Sequence, residues 1–499
     1  MINKNNISNF SSEKRNGSEH RSLKKMENNS LGSNRKSTLK KIIVRVENEA
    51  REALVKDGNI EIQYTQDDKN YLKFQRQNAA RVILFERDAY IKSSQMLDNK
   101  STKKAKVVDG KTVWYKDNSF KQHATCNCMR YVRDITAKYV EQNGVEKLKY
   151  QRETEIAVYR NKDTKQAYFG NLTTCGMVWT CPVCASKISE HRRQELTELI
   201  EKHNLNKGFV YMLTLTLPHY KKDNLKDLMD RVKKAMKYLT SHYDYRKILK
   251  SIGQVGSVRA LEVTWSYKNG WHPHFHILQL TDMELFKDNF TEVKEKIWSI
   301  WVKACVEAGL NPPSLKHGVD FQGGQQAGDY VSKWGVECEL TKWHLKSGKN
   351  SFSPFQLLDV YLTTEDENER KLAYNLFREY QKAFKGFRQL YWSKDLKKKY
   401  GLNDLTDDEV MELSEKSEFV GYISKQDWKV VLKSKTKNPF FAHKFKGDCR
   451  AEILKIASNG SIADINLYIT SLKNIREVDK LFYDIDYREM DYREKMWEI

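Results

Sequence analysis

Gly270-Trp271-His272-Pro273-His274-Phe275-His276 is the stretch on which the reading of this chain turns. Successive side chains of a β-strand point to opposite faces. His274 and His276 therefore project together, and Phe275 points into the core. Two imidazoles at that spacing can bind one divalent ion. Pro273 stiffens the approach, and three of the twelve histidines fall within these seven residues. Clustered histidines on a strand can also be plain surface residues. The apolar run that follows, residues 274–280 (HFHILQL), and a carboxylate-bearing strand before it favour a metal site.

That preceding strand is residues 258–266 (VRALEVTWS), with Asn269-Gly270 as a hairpin signal between the two. Glu262 is a charge in an otherwise apolar strand, which is costly unless it is paired or metal-bound. A metal that activates phosphodiester chemistry usually has a carboxylate beside its histidines and open positions for substrate. Glu262 is the candidate third ligand, and His272 is the fallback. Register sets a condition. A two-residue turn at Asn269-Gly270 would pair Lys268 with Trp271 and Glu262 with Ile277, which turns Glu262 to the wrong face. A ligand role for Glu262 requires an odd-length connection or a bulge, and such a connection is expected.

The HPHFH run resembles the histidine–hydrophobe–histidine motif of the HUH endonucleases. These are the replication initiators of rolling-circle plasmids, with relatives among relaxases and single-strand transposases. Residues 212–219 (MLTLTLPH) resemble the first strand motif of the plasmid-initiator branch. Tyr330-Val331-Ser332-Lys333 resembles its Tyr-x-x-Lys nucleophile motif. The three occur in the expected order, and the resemblance covers about residues 120–400. It implies an α+β fold, a central antiparallel sheet with helices packed on one side. It also implies that Tyr330 attacks a DNA phosphate, forming a 5′-phosphotyrosine and leaving a 3′-hydroxyl that primes synthesis. The implied catalytic ion is Mn²⁺ or Mg²⁺. No second tyrosine lies within one turn of Tyr330, which places the chain in the single-tyrosine branch.

A tyrosine hydroxyl, with a pKa near 10, is a weak nucleophile at neutral pH. A metal that polarises the phosphate and nearby positive charge make attack feasible. If Tyr330 starts a helix, Lys333 and Glu337 follow on about the same face. Lys333 would steady the phenolate or the phosphate. Some plasmid initiators carry a glutamate one turn before the tyrosine for termination. Gln326 stands there and cannot act as a general base, so Asp329, Glu337 or Glu339 are the alternatives.

Eight cysteines are present, five of them within residues 120–185. Cys181-Pro182-Val183-Cys184 is a Cys-x-x-Cys knuckle, with Cys126, Cys128 and Cys175 upstream. Four thiolates around tetrahedral zinc is the reading this suggests. Cys181 and Cys184 lead, followed by Cys126 or Cys128, and Cys175; His123 and His191 are possible substitutes. Such a zinc would fold a segment too polar to build its own core. Core cysteines or a redox pair are the alternatives.

The chain has 499 residues, 39% hydrophobic, with 87 Lys+Arg against 66 Asp+Glu. The resulting charge of +21 favours polyanionic partners. No apolar run is long enough for a transmembrane helix, and no secretory signal is visible, so a cytoplasmic protein is expected. The division read from composition is a disordered basic tail over 1–46, a mixed, mostly helical region over 47–119 and a cysteine-rich zinc-binding region over 120–204. A nicking domain over 205–400 and a C-terminal accessory region over 401–499 follow. Helices are expected near 186–203, 291–309, 326–343 and 365–384. Residues 377–399 interleave aromatic and basic side chains. Arg378, Lys382, Lys385, Arg388 and Trp392 are the candidate DNA contacts, although an amphipathic helix with a solvated basic end reads the same way.

The leading functional reading is an origin-nicking and rejoining enzyme acting on single-stranded or hairpin origin DNA with a host helicase and polymerase. An HUH transposase or mobilisation relaxase, and a non-catalytic zinc-containing DNA-binding protein, are the competing readings. A zinc hydrolase is disfavoured because no HExxH helix is present.

Overall fold

The computed structural model describes residues 40–46, 49–56, 59–62, 65–85, 103–108, 111–116, 123–133, 136–142, 145–151, 154–285, 287–323, 351–412, 417–437 and 446–474. In chain order, the elements that position the site begin with helix α1 (Gln66–Leu84), strands β1 (Glu155–Asn161) and β2 (Ala167–Gly170), and helix α2 (Pro182–Leu205). Strand β3 (Phe209–Thr216), helix α3 (Leu225–Ser241), strands β4 (Gln254–Ser266) and β5 (Gly270–Thr281), helix α4 (Lys287–Glu307) and strand β6 (Val319–Gly323) follow. Then come β7 (Ser351–Phe352), α5 (Pro354–Thr363), α6 (Glu367–Ala383), β8 (Leu390–Trp392), β9 (Ser417–Ser424) and α7 (Cys449–Asn459).

The central sheet is antiparallel in the order β6-β3-β5-β4-β7, with β8 also pairing with β4. Alternation splits its residues cleanly. Leu213, Leu215, Leu261, Val263, Phe275 and Ile277 are buried on one face, in one cluster with Leu228 and Val232 of α3, Ile297 and Trp301 of α4 and Phe377 of α6. Val210, Met212, Val258, Leu278 and Leu280 are buried on the other, against Leu196 and Leu199 of α2. Helices were expected on one side only. The second face carries this apolar half, and α2 covers it. The rest of that face, at Thr214, Glu262, His274 and His276, is polar.

The connection between β4 and β5 has three residues, because Ser266 pairs with Gly270. Glu262 therefore lies directly opposite His274. Asn269 N–H donates to Ser266 Oγ at 3.1 Å inside the turn. Gly270 closes it with φ +72°, and a Cβ there would lie 2.9 Å from Lys221 Cα. Both conditions select glycine.

Helix α1 starts with a capping box between Thr65 and Asp68. It joins distant parts of the chain through buried polar contacts. Arg76 forms a buried ion pair with Asp359 of α5. Arg450 at the start of α7 is buried, bonds Asp448 through two nitrogens, at 2.9 and 2.7 Å, and donates to Gln77 Oε1 at 2.8 Å. A buried guanidinium persists only when paired in this way. Strand β9 pairs with β1 in a separate sheet of order β9-β1-β2, where Arg160 meets Glu418. The motif-poor C-terminal region thus packs back onto the cysteine-bearing part.

The region read as mostly helical, 47–119, contains only one helix among its described residues, α1. The remainder pairs as strands: Lys40–Val46, Glu49–Lys56 and Asn59–Ile62 in one sheet, and Lys103–Val108 with Lys111–Lys116. Isoleucine and valine runs such as IIV at 42–44 favour the extended state. The tail read over 1–46 overlaps the first of these strands; residues 1–39 lie outside the described residues, as does the helix read at 326–343. Among the described residues no helix is long and apolar enough to cross a membrane.

Gly270→Ala should destabilise the protein by about 1–3 kcal/mol through the left-handed backbone alone, and by more through the clash with Lys221. Denaturant unfolding checks this; an unchanged midpoint would mean the connection is not fixed as described.

Candidate metal and nicking site

Strand pairing builds the site before any ion is considered. Glu262 and His274 face each other across β4 and β5, and Thr214 of β3 faces His276 on the other side of β5. Nε2 of His274 and Nε2 of His276 each lie 3.3 Å from Glu262 Oε2. One donor atom from each of the three residues lies within 4.8 Å of the others. His276 Nδ1 is 3.1 Å from Thr214 Oγ1. That contact turns the His276 ring so that Nε2 faces Glu262. A second hydrogen bond of this kind fixes tautomer and ring orientation in metal sites. Two imidazoles and one carboxylate can hold one divalent ion and leave positions open for a phosphate.

Electrostatics agree with that fit. Burial pushes the Glu262 carboxyl up, but hydrogen bonds with His274 and His276 outweigh it and hold the group well below the usual carboxylate range. Burial lowers His276, and its neighbour His274 lowers it further. Burial, then the charges of His274 and His219, bring His272 down to about 3. Neutral imidazole is the ligating form.

His272 shares the face but stands outside the three-residue cluster. Its Nδ1 lies 2.6 Å from His219 Nε2, its ring stacks on His274 at 5.0 Å, and His219 Nδ1 lies 3.0 Å from Asn269 O. Thr214 and His219 were not singled out from sequence. Their signal was the 212–219 motif, where threonines alternate on the histidine-facing side of β3. Tyr330, Lys333 and Glu337 lie outside the described residues, as do Gln326, Asp329 and Glu339.

A second cluster forms where α2 begins. Cys181 caps the helix and Pro182 occupies its first turn. The sulfurs of Cys128, Cys175, Cys181 and Cys184 lie within 4.8 Å of one another, with Cys128–Cys184 at 3.5 Å, Cys175–Cys184 at 3.6 Å and Cys128–Cys181 at 3.6 Å. Four sulfurs about 2.3 Å from a tetrahedral zinc would sit about 3.8 Å apart, so the spacing fits. Burial opposes charge at Cys181, but hydrogen bonds from Cys128, Cys175 and Cys184 outweigh it and lower its thiol. Gln77 of α1 donates to Cys181 Sγ at 3.6 Å. Cys126 is not in the cluster; its sulfur faces Arg81 O at 3.7 Å. His123 caps Thr125 and His191 lies beside Glu195, so neither joins the cysteines.

The candidate DNA contacts fall in different places. Arg378 bonds Ile83 O and Tyr374 Oη, joining α6 to α1. Trp392 packs against the apolar cluster under α2, with Lys397 Nζ 4.9 Å over its ring. Lys382, Lys385 and Arg388 are exposed.

Residues 170–439 match the family model described as replication protein. Among curated proteins, Protein rep of Streptomyces lividans is 30% identical over 296 residues, covering 46% of this chain and 64% of that protein. Protein rep of Bacillus amyloliquefaciens is 30% identical over 130 residues, 25% of this chain and 35% of that protein. The neomycin resistance protein of Streptomyces cyanogenus is 32% identical over 133 residues, 22% of this chain and 30% of that protein. The match spans less than two thirds of the length of each relative. No solved structure matches.

Thr214→Val removes the hydroxyl that turns His276. It should weaken Mn²⁺ binding by about 10–100-fold with little change in thermal midpoint, measured by titration calorimetry alongside thermal unfolding. Unchanged affinity would remove Thr214 from the site.

Proposed function

The chain belongs to the replication-protein family, the family of plasmid rolling-circle initiators whose motifs it resembles, and on that premise we propose that it nicks one strand of its origin DNA to start replication. The observation that carries this reading is the convergence of Glu262, His274 and His276 on one face of the sheet. A divalent ion held there would polarise the scissile phosphate and offset the charge that develops on it. Glu262, His274 and His276 would hold that ion, with Thr214 keeping His276 turned inward.

Tyr330 is the proposed nucleophile. Its oxygen bonds to phosphorus while the 3′ oxygen departs as a hydroxyl that primes synthesis, and the 5′ side stays on the protein as a phosphotyrosine. Attack by a 3′-hydroxyl on that linkage rejoins the strand. The Tyr-x-x-Lys motif, which also supplies Lys333, supports Tyr330. Glu337 is the proposed base for the terminating step, in the absence of a glutamate at Gln326.

Cys128, Cys175, Cys181 and Cys184 would hold a structural zinc in a closed four-thiolate site, in contrast to the open three-ligand site on the sheet. That ion would fix the start of α2, the helix that covers the apolar half of the histidine face.

Two outcomes are expected. With Mn²⁺ and single-stranded origin DNA, wild-type protein forms a covalent adduct visible by denaturing electrophoresis, and Tyr330→Phe forms none. Glu262→Ala slows adduct formation roughly a thousandfold, about 4 kcal/mol of transition-state stabilisation. Intact nicking by Tyr330→Phe would show the nucleophile to be another residue. By elemental analysis, Cys181→Ser loses the bound zinc and Cys126→Ser keeps it; equal loss in both would contradict the ligand set.

A further inference from the structure

The edge of β4 is interrupted beside the metal-ligand cluster. Strand β8 pairs with Val258–Ala260 and β7 with Trp265–Ser266. Among the described residues, 261–264 have no partner strand on that edge. A cleft with a cavity volume of about 100 Å³ opens at the gap, lined by Glu262 and His276 on the sheet and by Ser189, Trp179, Tyr380 and Gln389 around them. The cleft therefore adjoins residues that would hold the metal ion.

Gln389 is the informative wall. Its Nε2 donates to Ser189 Oγ of α2 at 2.7 Å, which fixes the amide plane. Its Oε1 is out of solvent contact and accepts no hydrogen bond among the described residues. Buried amide oxygens are ordinarily paired, so an acceptor held in this way fits a ligand that brings its own N–H. Gln389, Arg192 and Leu390 also border a second trough, lined by the exposed cations Arg388, Lys394 and Lys398 together with Asp395, Asp404 and Asp407. An acceptor beside aromatic walls, continuous with a trough that offers the exposed cations Arg388, Lys394 and Lys398, suits one class of ligand: a single DNA strand with a base in the cleft and its phosphates held by those cations.

We propose that this cleft takes one unpaired nucleobase of the strand flanking the nick, and that Gln389 reads it through Oε1. The placement beside a nick rests on the nicking reading; the recognition chemistry rests on the cleft alone. Oε1 accepts from a base that offers an N–H at the matching position and repels one that offers a carbonyl there. Gln389 is in this sense a specificity-determining residue.

The test separates binding from chemistry. Full-length protein is mixed with a pool of single-stranded DNA carrying a randomised segment. Strands bound without divalent metal, and strands covalently captured with Mn²⁺, are sequenced for wild type, Gln389→Leu and Gln389→Glu. Wild type is expected to favour particular bases at one position of the bound strands. Gln389→Leu should flatten that preference by roughly ten- to hundredfold, the scale of a base-edge hydrogen bond. Gln389→Glu keeps an acceptor and should keep the preference. A thermal midpoint matching wild type certifies each variant. Identical preferences in wild type and Gln389→Leu, or no base preference in wild type, would overturn the proposal. Retained preferences without covalent capture would overturn the nicking reading and leave the nucleobase pocket standing.

Discussion

Three residues between two strands, Tyr267 to Asn269, determine whether this protein has a metal site. Side chains on a strand alternate with a period of two, so adding or removing one residue in the connection reverses every facing pair. With three, Glu262 meets His274. With two, Glu262 would face the apolar core and leave an unpaired charge among Leu213, Phe275 and Ile277. Gly270 holds the connection because the backbone there is left-handed and lies against Tyr220 and Lys221. The chemistry of the site thus depends on a turn that touches none of the reacting groups.

The rest of the architecture serves that face. Helices α3, α4 and α6 bury one side of the sheet and leave the other divided between an apolar half and a polar half. Helix α2 covers the apolar half, and its start is tied to the cysteine cluster. Gln77 and Arg450 extend the tie, so that residues from α1, α2 and α7 meet within one hydrogen-bonded chain ending on Cys181. Three of the buried polar residues of α1 have their partners in these contacts: Asp68 in the cap with Thr65, Arg76 in the pair with Asp359, and Gln77 between Arg450 and Cys181.

Much of the site was legible in the sequence because it follows from periodicity. His274 and His276 share a face by strand geometry alone, and the odd-length connection followed from asking where Glu262 must point. The strand positions and the helix expected near 291–309, found at Lys287–Glu307, came from apolar patterning, and the helix expected near 365–384 is found at Glu367–Ala383. What spacing could not supply was partnership. Cys126 and Cys128 are two residues apart, and only the fold of the 123–133 turn decides that Cys128 faces the other sulfurs while Cys126 faces Arg81. The strands within 40–62 and 103–116 are short and highly charged, so the alternation that marks a half-buried strand is weak there. Arg378 reads as a DNA contact in sequence and serves as a staple between two helices, because its partners Ile83 and Tyr374 come together only on folding.

The central claim is that strand register places one divalent ion among Glu262, His274 and His276. A crystal of the protein grown with Mn²⁺ and measured near the manganese absorption edge tests it most directly. The account predicts a single strong anomalous peak on the polar half of the sheet, about 2.0–2.2 Å from a Glu262 oxygen and from the Nε2 atoms of both histidines. A peak held elsewhere, or histidines and carboxylate closed on one another with no manganese between them, would contradict it.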